Sequence, residues 1–344
     1  MDPLTQAGLG GAIGGAFFHR RLGRRAILFG ALAGMAPDLD ILVGLWGDEW
    51  TTLAAHRGPT HSLLVLPFAA VPIGWGASKV LGAGRDVRDW ILLAFWGLWT
   101  HPILDSCTTY GTQLLSPFSD RRFVFDAVAI IDPWFTLPLL LALLVAYTPW
   151  GTDERIQRFG RVALTWAVIY LSVGFGLTLS AEAAARRQLA AEGITATDVR
   201  GGTPLFFPAL RRVSTYDGDR TYRVGFRSAL APEPIQWTAF EHAEDERVDA
   251  ALASRGGQTF AWFADGFAQA QLRGDDVIFA DRRYGLVSAP DQTPFWAVAR
   301  FRDGKMVQIR QESGMDRSSL SLRDELRQGW LLTLGLDEED LDRE

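Results

Sequence analysis

The chain has 344 residues, of which 48% are hydrophobic and 22% charged, and its formal net charge is −6. This length allows two domains, and a modest negative charge without a basic, aromatic-rich stripe argues against a nucleic-acid partner. The single cysteine, Cys107, excludes an internal disulfide, a cysteine zinc knuckle and a CxxC redox motif, so a metal would need nitrogen and oxygen ligands.

Apolar stretches dominate the first half of the chain. Those about long enough for a helix to cross a hydrocarbon core of ~30 Å are residues 26–46, 62–81, 90–106, 133–149 and 162–180. Residues 9–18 are apolar but short and lack the basic start of a signal peptide, so we expect a re-entrant or packed half-helix there. The pattern predicts a polytopic α-helical membrane domain of about five spans over residues 1–181.

Basic residues predict the topology of these spans. They cluster in three connecting segments: Arg20, Arg21, Arg24 and Arg25; Arg85 and Arg88; and Arg155, Arg158 and Arg161. By the positive-inside rule these segments are cytoplasmic, which places the loops 47–61 and 107–132 on the outer side. Arg121 and Arg122 lie in the second of those loops, and the topology is inverted if they dominate. We expect a multi-pass protein of the inner membrane.

Residues 182–344 lose the long apolar runs, which predicts a soluble α+β domain. Alternation predicts strands at 221–227, 276–280 and 295–301, with turns at 216–219 and 302–305. Periodicity predicts helices at 241–254, 259–270 and 320–334, after a helical continuation over 181–192. On the topology above, this domain is extracytoplasmic.

Three motifs in the first third of the chain place ionisable side chains among apolar segments. The residues concerned are Asp38 and Asp40, His56 and His61, and His101 and Asp105. Because an unpaired ionisable group is costly to bury, this concentration predicts a metal site. The topology places it near the outer interface.

The local sequence indicates how each motif folds. His101 and Asp105 are four residues apart and share a helix face, provided that Pro102 places His101 near a helix start or a kink. Gly58 and Pro59 break regular helix, so His56 and His61 belong to a loop. Pro37 interrupts the first long span, so Asp38 and Asp40 lie where the backbone leaves helix geometry.

Three imidazoles and up to three carboxylates suit one or two divalent ions, with zinc preferred and manganese as the alternative. Such ions turn bound water into a nucleophile at neutral pH, which favours hydrolysis. Asp38 or Asp40 would complete the site or act as general base, and Arg57 would orient an anionic group. Arg121 and Arg122 would hold a phosphoester, because guanidinium groups match phosphate oxygens.

The order of these motifs resembles the YdjM-like family of bacterial inner-membrane proteins. It continues with Thr108-Thr109-Tyr110-Gly111-Thr112 and Leu114-Leu115-Ser116-Pro117-Phe118, and the run His-Arg-Gly-Pro-Thr-His-Ser is its most specific part. The resemblance implies a membrane-bound, metal-dependent hydrolase. It marks a metal cluster and its surroundings at these positions: Asp38, Asp40, His56, His61, His101 and Asp105, with Arg57, Thr60, Ser62 and Gly111 around them.

The resemblance also extends to zinc-dependent phospholipases C and nucleases, distantly, which implies phosphoester cleavage. Many relatives open with Asp-Pro-Leu-Thr-His, whereas Gln6 follows Asp2-Pro3-Leu4-Thr5 in this chain. An amide oxygen is a weaker metal ligand than an imidazole. The difference therefore puts a second metal or full activity in question.

Two other functions remain open from the sequence. A non-enzymatic membrane protein would use the His/Asp residues, with or without a metal, to hold its helices together, and its soluble domain would bind a partner. A metal or proton transporter would use the same carboxylates as an ion pathway, although no inverted repeat is visible. The bilayer is the one partner that the sequence predicts; it does not indicate the substrate, a protein partner or the oligomeric state.

Overall fold

The computed structural model describes residues 1–82, 87–312 and 321–336. The chain divides into two compact units. The helical unit comprises Met1–Leu45 and Ala55–Phe175, and the β unit comprises Trp46–Ala54 and Gly176–Glu344. The boundary predicted at residue 181 falls inside the long helix Asp153–Ala191, which contributes to both units.

Helices make up most of the first 191 residues. They are α1 (Pro3–Ile13), α2 (His19–Leu22), α3 (Arg25–Met35), α4 (Glu49–Ala55), α5 (Leu66–Val80), α6 (Val87–Ser106), α7 (Pro133–Ala146) and α8 (Asp153–Ala191). A π-helical turn, Gly14–Phe18, follows α1, and 3-10 helices form at Ala36–Leu45 and Pro59–His61. Helix starts have local causes: the Asp132 carboxylate caps α7 by accepting from two backbone N–H groups, and Pro133 occupies the first helical position.

Fewer helices than predicted are suited to crossing a membrane. Among the described residues, the segments Arg25–Leu45 and Asp153–Ala191 are long and apolar enough. Residues Glu49–His61 and Leu66–Val80 make a third if the pair, bent by 71°, is one span. The five predicted spans are not confirmed, because α7 has only 14 residues and α6 includes several ionisable groups.

Polar contacts join several helix ends at one end of the helical unit. Arg21 lies 2.6 Å from Asp89 at the start of α6, and His19 lies 2.9 Å from Asp153 at the start of α8. Arg25 donates to the backbone carbonyl just after α5. The predicted basic segments therefore share one end of this unit, although Arg85 falls outside the described residues.

Small residues allow α1 and α3 to pack with their backbones in contact. A Cβ at Gly10 would lie 2.1 Å from the carbonyl oxygen of Gly30, and a Cβ at Gly34 would lie 2.5 Å from that of Gln6. Larger side chains at these positions would force the helices apart, since close backbone packing in membranes depends on small residues. This packing brings Gln6 and Gly34 beside the His/Asp motifs.

The β unit contains two four-stranded antiparallel sheets, with orders β1-β2-β3-β4 and β5-β6-β7-β8. The strands are β1 (Asp198–Gly202), β2 (Leu210–Tyr216), β3 (Thr221–Ser228), β4 (Thr238–Glu241), β5 (Ala268–Arg273), β6 (Asp276–Asp281), β7 (Trp296–Arg302) and β8 (Lys305–Glu312). Helices α9 (Glu246–Ala253) and α10 (Arg255–Ala264) separate the sheets in sequence, and α11 (Leu322–Leu334) follows them. Ala181 and Ala185 of α8 pack with Val199 and Val213 of the first sheet.

The predicted elements of this unit are partly correct. Strands β3 and β6 cover two predicted strands, and β7 begins and ends one residue later than the strand predicted over 295–301. Asp303 and Gly304 form a tight turn with positive φ angles of 52° and 72°. The helix predicted from residue 241 is wrong at its start, because β4 ends there and Asp245 caps α9. The helix predicted over 259–270 is wrong at its end, because Asp265 and Gly266 adopt positive φ and stop α10. Leu320 lies outside the described residues.

Candidate metal centre

Four predicted side chains converge in the helical unit: Asp38, His61, His101 and Asp105. Each offers one nitrogen or oxygen atom, and these atoms all lie within 4.8 Å of one another. The first comes from the 3-10 helix after α3, the second ends a short 3-10 helix, and the other two share α6. We call this group the four-residue cluster.

The distances within the cluster suit a small cation. The Nε2 atoms of His61 and His101 are 3.0 Å apart. Asp38 Oδ1 lies 3.5 and 3.3 Å from them, and Asp105 Oδ2 lies 3.4 and 3.6 Å from them. Tetrahedral zinc with bonds of about 2.0–2.1 Å separates its ligand atoms by roughly 3.3–3.4 Å. These five distances are therefore close to those between the ligands of a tetrahedral ion.

Hydrogen bonds orient both imidazoles with Nε2 toward the cluster. His101 Nδ1 lies 2.5 Å from the carbonyl oxygen of Gly34, which can only accept, so this nitrogen carries the proton. His61 Nδ1 lies 3.3 Å from Asp40 Oδ2 and 3.0 Å from the Thr60 hydroxyl. Neutral imidazoles held in this way direct their Nε2 lone pairs at one point, as metal-binding histidines do.

Asp40 and His56 lie beside the four-residue cluster and contact each other. Asp40 Oδ1 lies 2.8 Å from His56 Nδ1, while its Oδ2 accepts from the Arg57 backbone N–H and the Thr60 hydroxyl, each at 2.9 Å. Arg57 has a φ of 60°, which is unusual for a residue other than glycine. The Asp40 carboxylate therefore holds the strained loop that carries His61.

Arg57 is buried and paired with a carboxylate of the cluster. Its side chain is 4% exposed, and its Nε lies 2.8 Å from Asp105 Oδ2. Its Nη1 donates to the Thr108 hydroxyl at 3.2 Å. The guanidinium also lies over the Tyr110 ring, 4.6 Å from its centre. In this arrangement Arg57 compensates the buried charge of Asp105.

Gln6 occupies the position where the resemblance predicts histidine, and it does lie against the cluster. Its Nε2 donates to Asp105 Oδ1 at 2.9 Å. Its Oε1 is buried and has no hydrogen-bond partner among the described residues. The amino group of Met1 also contacts Asp105. The amide therefore orients Asp105 and leaves an oxygen available as a weak ligand.

The remaining residues that the sequence singled out make contacts outside the four-residue cluster. Pro102 lies inside α6, so His101 is not near a helix start, and of the two predicted alternatives only a kink remains; proline there removes the hydrogen bond to the carbonyl of Leu98. Arg122 lies 4.7 Å from the centre of the Tyr110 ring, on the same ring as Arg57. Arg121 instead lies over Phe123, and Ser62 donates to the Ser116 carbonyl.

Sequence reasoning missed two contributors to the site. The Gly34 carbonyl orients His101, and backbone groups carry no residue-type signal. Tyr110 lies between two guanidinium groups and makes an edge contact with His56, with ring centres 5.4 Å apart. Its place in the Thr-Thr-Tyr-Gly-Thr run was the only available hint.

Comparisons with known proteins give a family match and two similar proteins. A model of the YdjM inner membrane protein family matches residues 1–183. The inner membrane protein YbcI of Escherichia coli strain K12 is 32% identical over 160 residues, which are 45% of this chain and 86% of that protein. The uncharacterized protein YfhP of Bacillus subtilis strain 168 is 29% identical over 157 residues, which are 43% of this chain and 46% of that protein.

No solved structure matches the chain. The family match includes all of the four-residue cluster and ends within α8. Since it covers more than half of the sequence, the chain belongs to the YdjM inner membrane protein family.

Proposed function

We propose that this protein is a membrane-bound, metal-dependent hydrolase that acts on a phosphoester or lipid-like substrate at the outer face of the inner membrane. The observation that carries the proposal is the convergence of two imidazole nitrogens and two carboxylate oxygens within 4.8 Å. When the histidines are neutral, all four are acceptor atoms. The Arg57 guanidinium and the Met1 amino group compensate Asp105, and a bound cation would offset the repulsion among the remaining lone pairs.

The donor set supports zinc first and manganese second, because imidazole and carboxylate ligands suit both. A bound ion of this kind supplies water of lowered pKa and polarises the bond to be cleaved. The protein itself holds the metal-binding side chains in fixed orientations. Gly34 and Asp40 do this for the two imidazoles, and Gln6 does it for Asp105.

The cluster residues differ in their access to solvent, which suggests their roles. His61, His101 and Asp105 have fully buried side chains, whereas Asp38 is 23% exposed. Asp38 therefore lies where water and substrate enter and is our choice for a ligand that also accepts a proton from water. Asp40 faces His56 and the loop backbone, so we assign it a positioning role. Arg57 acts through Asp105 in this proposal rather than on substrate.

The proposed orientation follows from the helix ends. The basic contacts of Arg21, His19 and Arg25 occupy one end of the helical unit, while the cluster lies where α3 and α6 end. If the basic end is cytoplasmic, the cluster faces outward. Helix α8 starts at the basic end, so the β unit would begin on the outer side.

Metal content tests the site directly. We expect about one or two equivalents of zinc or manganese in detergent-purified protein prepared without chelator. The variant His61→Ala should lose this metal, whereas His242→Ala, in the β unit, should keep it. Equal metal in both folded variants would remove the basis of the proposal.

Hydrolysis tests the proposed reaction. Asp38→Asn keeps the size of the side chain and breaks no contact outside the cluster, so folding should survive. Loss of phosphoester hydrolysis is expected, because the proton acceptor and one charged ligand disappear. Full activity in this variant, with metal bound, would contradict the role of Asp38.

A structural role for the same residues is the second candidate. It is favoured by the Arg57–Asp105 and His56–Asp40 pairs, each 2.8 Å long, which connect separate segments of the helical unit. On this alternative, His61→Ala would lower the thermal stability without abolishing any reaction. The hydrolysis assay separates the two candidates, because a structural site can hold a metal as well.

A further inference from the structure

A cavity of about 510 Å³ lies within the helical unit, between α1, the π-helical turn, α6, α7 and α8. This volume is in the range of small-molecule binding pockets. Its wall is almost entirely apolar and includes Leu9, Phe17, Trp96, Leu104, Phe135 and Leu171. The hydroxyl of Thr100, which also lines it, already donates to the Trp96 carbonyl at 2.6 Å. The cavity therefore suits a hydrocarbon rather than a polar ligand.

The lining residues make the cavity elongated along the helices. On α6 they run from Trp96 to Leu104, which is about 12 Å at 1.5 Å per residue. On α8 the lining positions 164, 167, 168 and 171 share one helix face. An extended chain parallel to the helices matches this shape.

One side of the cavity opens on the surface of the helical unit, which faces lipid where α8 crosses the membrane. Phe17, Trp96 and Val168 line it and are 56%, 42% and 66% exposed. Side chains at this depth of a membrane-spanning unit meet hydrocarbon rather than water. An empty apolar cavity forfeits dispersion contacts and does not attract water, whereas acyl chains are present at the opening.

The cavity reaches the level of the four-residue cluster. Leu104 directly precedes Asp105 on α6, and Leu9 is one turn after Gln6 on α1. Gln6 and Asp105 are hydrogen bonded, so the ends of these two helices are aligned. A lipid whose chain extended from this level toward Phe17 would have its headgroup at the height of the cluster.

We propose that this cavity holds one acyl chain of a bilayer phospholipid, and that this lipid is the substrate class of the cluster. The second statement rests on the proposed function. The chain lies along α6 between Trp96 and Leu104, and the phosphoester of the same lipid lies beside Asp38. The substrate is thus selected by its hydrocarbon chain as well as by its phosphate.

Photo-crosslinking tests the binding of the chain. The probe is a phospholipid with a diazirine at the end of one acyl chain, incorporated into vesicles that contain the full-length protein. We expect crosslinks to peptides of α1 and α8 that line the cavity. Ala167→Phe fills the cavity from α8 and should reduce labelling by about tenfold, equivalent to ~1.4 kcal/mol. Ile169→Phe, exposed on the same helix outside the cavity, should leave labelling unchanged.

Because Ala167 is buried, its replacement also tests folding. A second pair of variants distinguishes a filled cavity from misfolding. Leu171→Trp also fills the cavity, and Val173→Trp is its exposed control. Labelling that is equal in filled and control variants would mean that the probe reports only surrounding lipid, and the inference would be overturned. Labelling mainly outside α1, the π-helical turn, α6, α7 and α8 would overturn it as well.

Hydrolysis assays separate this inference from the proposed function. Leu171→Trp should raise KM for a long-chain phospholipid and leave the hydrolysis of a water-soluble phosphoester unchanged. If both substrates were equally affected, the cavity would not select the substrate. A protein without metal or hydrolysis that still showed cavity-dependent crosslinking would retain the lipid site and lose the proposed function.

Discussion

The two units of this protein bury charged groups in opposite ways. In the β unit, Arg282 is 1% exposed, and its guanidinium donates to Gln269 Oε1 and to the carbonyl oxygen of Asp291, while it stacks on Phe240. Arg283 is similarly paired with Asp281 at 2.7 Å. In the helical unit, the Nε2 atoms of His61 and His101 instead face each other and two carboxylate oxygens.

The two units differ in how well buried donors and acceptors are matched, not in how deeply these groups are buried. In the β unit, guanidinium donors meet oxygen acceptors, so the buried network satisfies itself. In the four-residue cluster, Asp105 is paired with Arg57, but the two Nε2 atoms and the Asp38 carboxylate are acceptors that face one another when the histidines are neutral, which is unfavourable unless a cation or extra protons lie between them. Donor and acceptor matching therefore distinguishes a structural network from a candidate metal site when both are equally buried.

Asp281→Asn should have the largest effect on stability, because it removes the carboxylate charge that pairs with the buried Arg283. Breaking a buried pair on one side costs about 3–5 kcal/mol. Urea unfolding of the detergent-solubilised protein, followed by circular dichroism, would measure this loss. Asp303→Asn, at an exposed turn, is the matched control. A loss no larger than in this control would show that the β-unit network is not needed for stability.

Asp40→Asn tests the outer contacts of the metal centre. The amide cannot accept as strongly from His61 and His56, so metal affinity should fall about 10–100-fold without disappearing. Competition with a chelator would measure the affinity, with Asp120→Asn in an exposed loop as control. Complete loss of metal would instead make Asp40 a direct ligand, as the sequence pattern allowed.

Arg212 is an exception in the β unit, because two of its buried donor atoms lack matching acceptors in the described part of the chain. Its replacement should therefore increase stability. Its Nε and Nη1 are buried and have no hydrogen-bond partner among the described residues. Removing unsatisfied buried donors in Arg212→Met should therefore raise the free energy of unfolding by about 1–3 kcal/mol at neutral pH. A decrease would show that a partner of this guanidinium is essential.

The effect of Arg212→Met should also depend on pH. Burial, reinforced by the charge of Arg282, lowers the pKa of Arg212 to about 9. The native protein then binds fewer protons than the unfolded chain between this value and the usual pKa, so wild-type stability rises with pH in that window. The advantage of the methionine variant should shrink above pH 9. Urea titrations at two pH values would detect this.

Arg200→Ala should have the smallest effect. Arg200 pairs with Asp265 at 2.7 Å, but the two side chains are 35% and 45% exposed, and water screens the attraction. Such pairs contribute about 0.2–1 kcal/mol. The same unfolding assay should show a change well below that of Asp281→Asn. A comparable change would mean that burial does not control the contribution of these pairs.

Much of the local structure was predictable because its causes are local. Pro37 and Gly58-Pro59 interrupt helices where predicted, so Asp38, Asp40, His56 and His61 leave regular helix. Asp132 caps α7 as its position before Pro133 indicates. The five predicted spans are not confirmed, because hydropathy ignores where a helix bends or ends.

The sequence by itself determined which residue types are available for metal chemistry and that they sit in apolar surroundings, because composition and spacing are properties of the chain. Only the tertiary structure decided that Asp38, His61, His101 and Asp105 form one group, while Asp40 and His56 lie beside it and Arg57 pairs with Asp105. The reason is that the approach of α1 to α3, and the carbonyl of Gly34 that orients His101, are long-range packing outcomes that no single segment specifies.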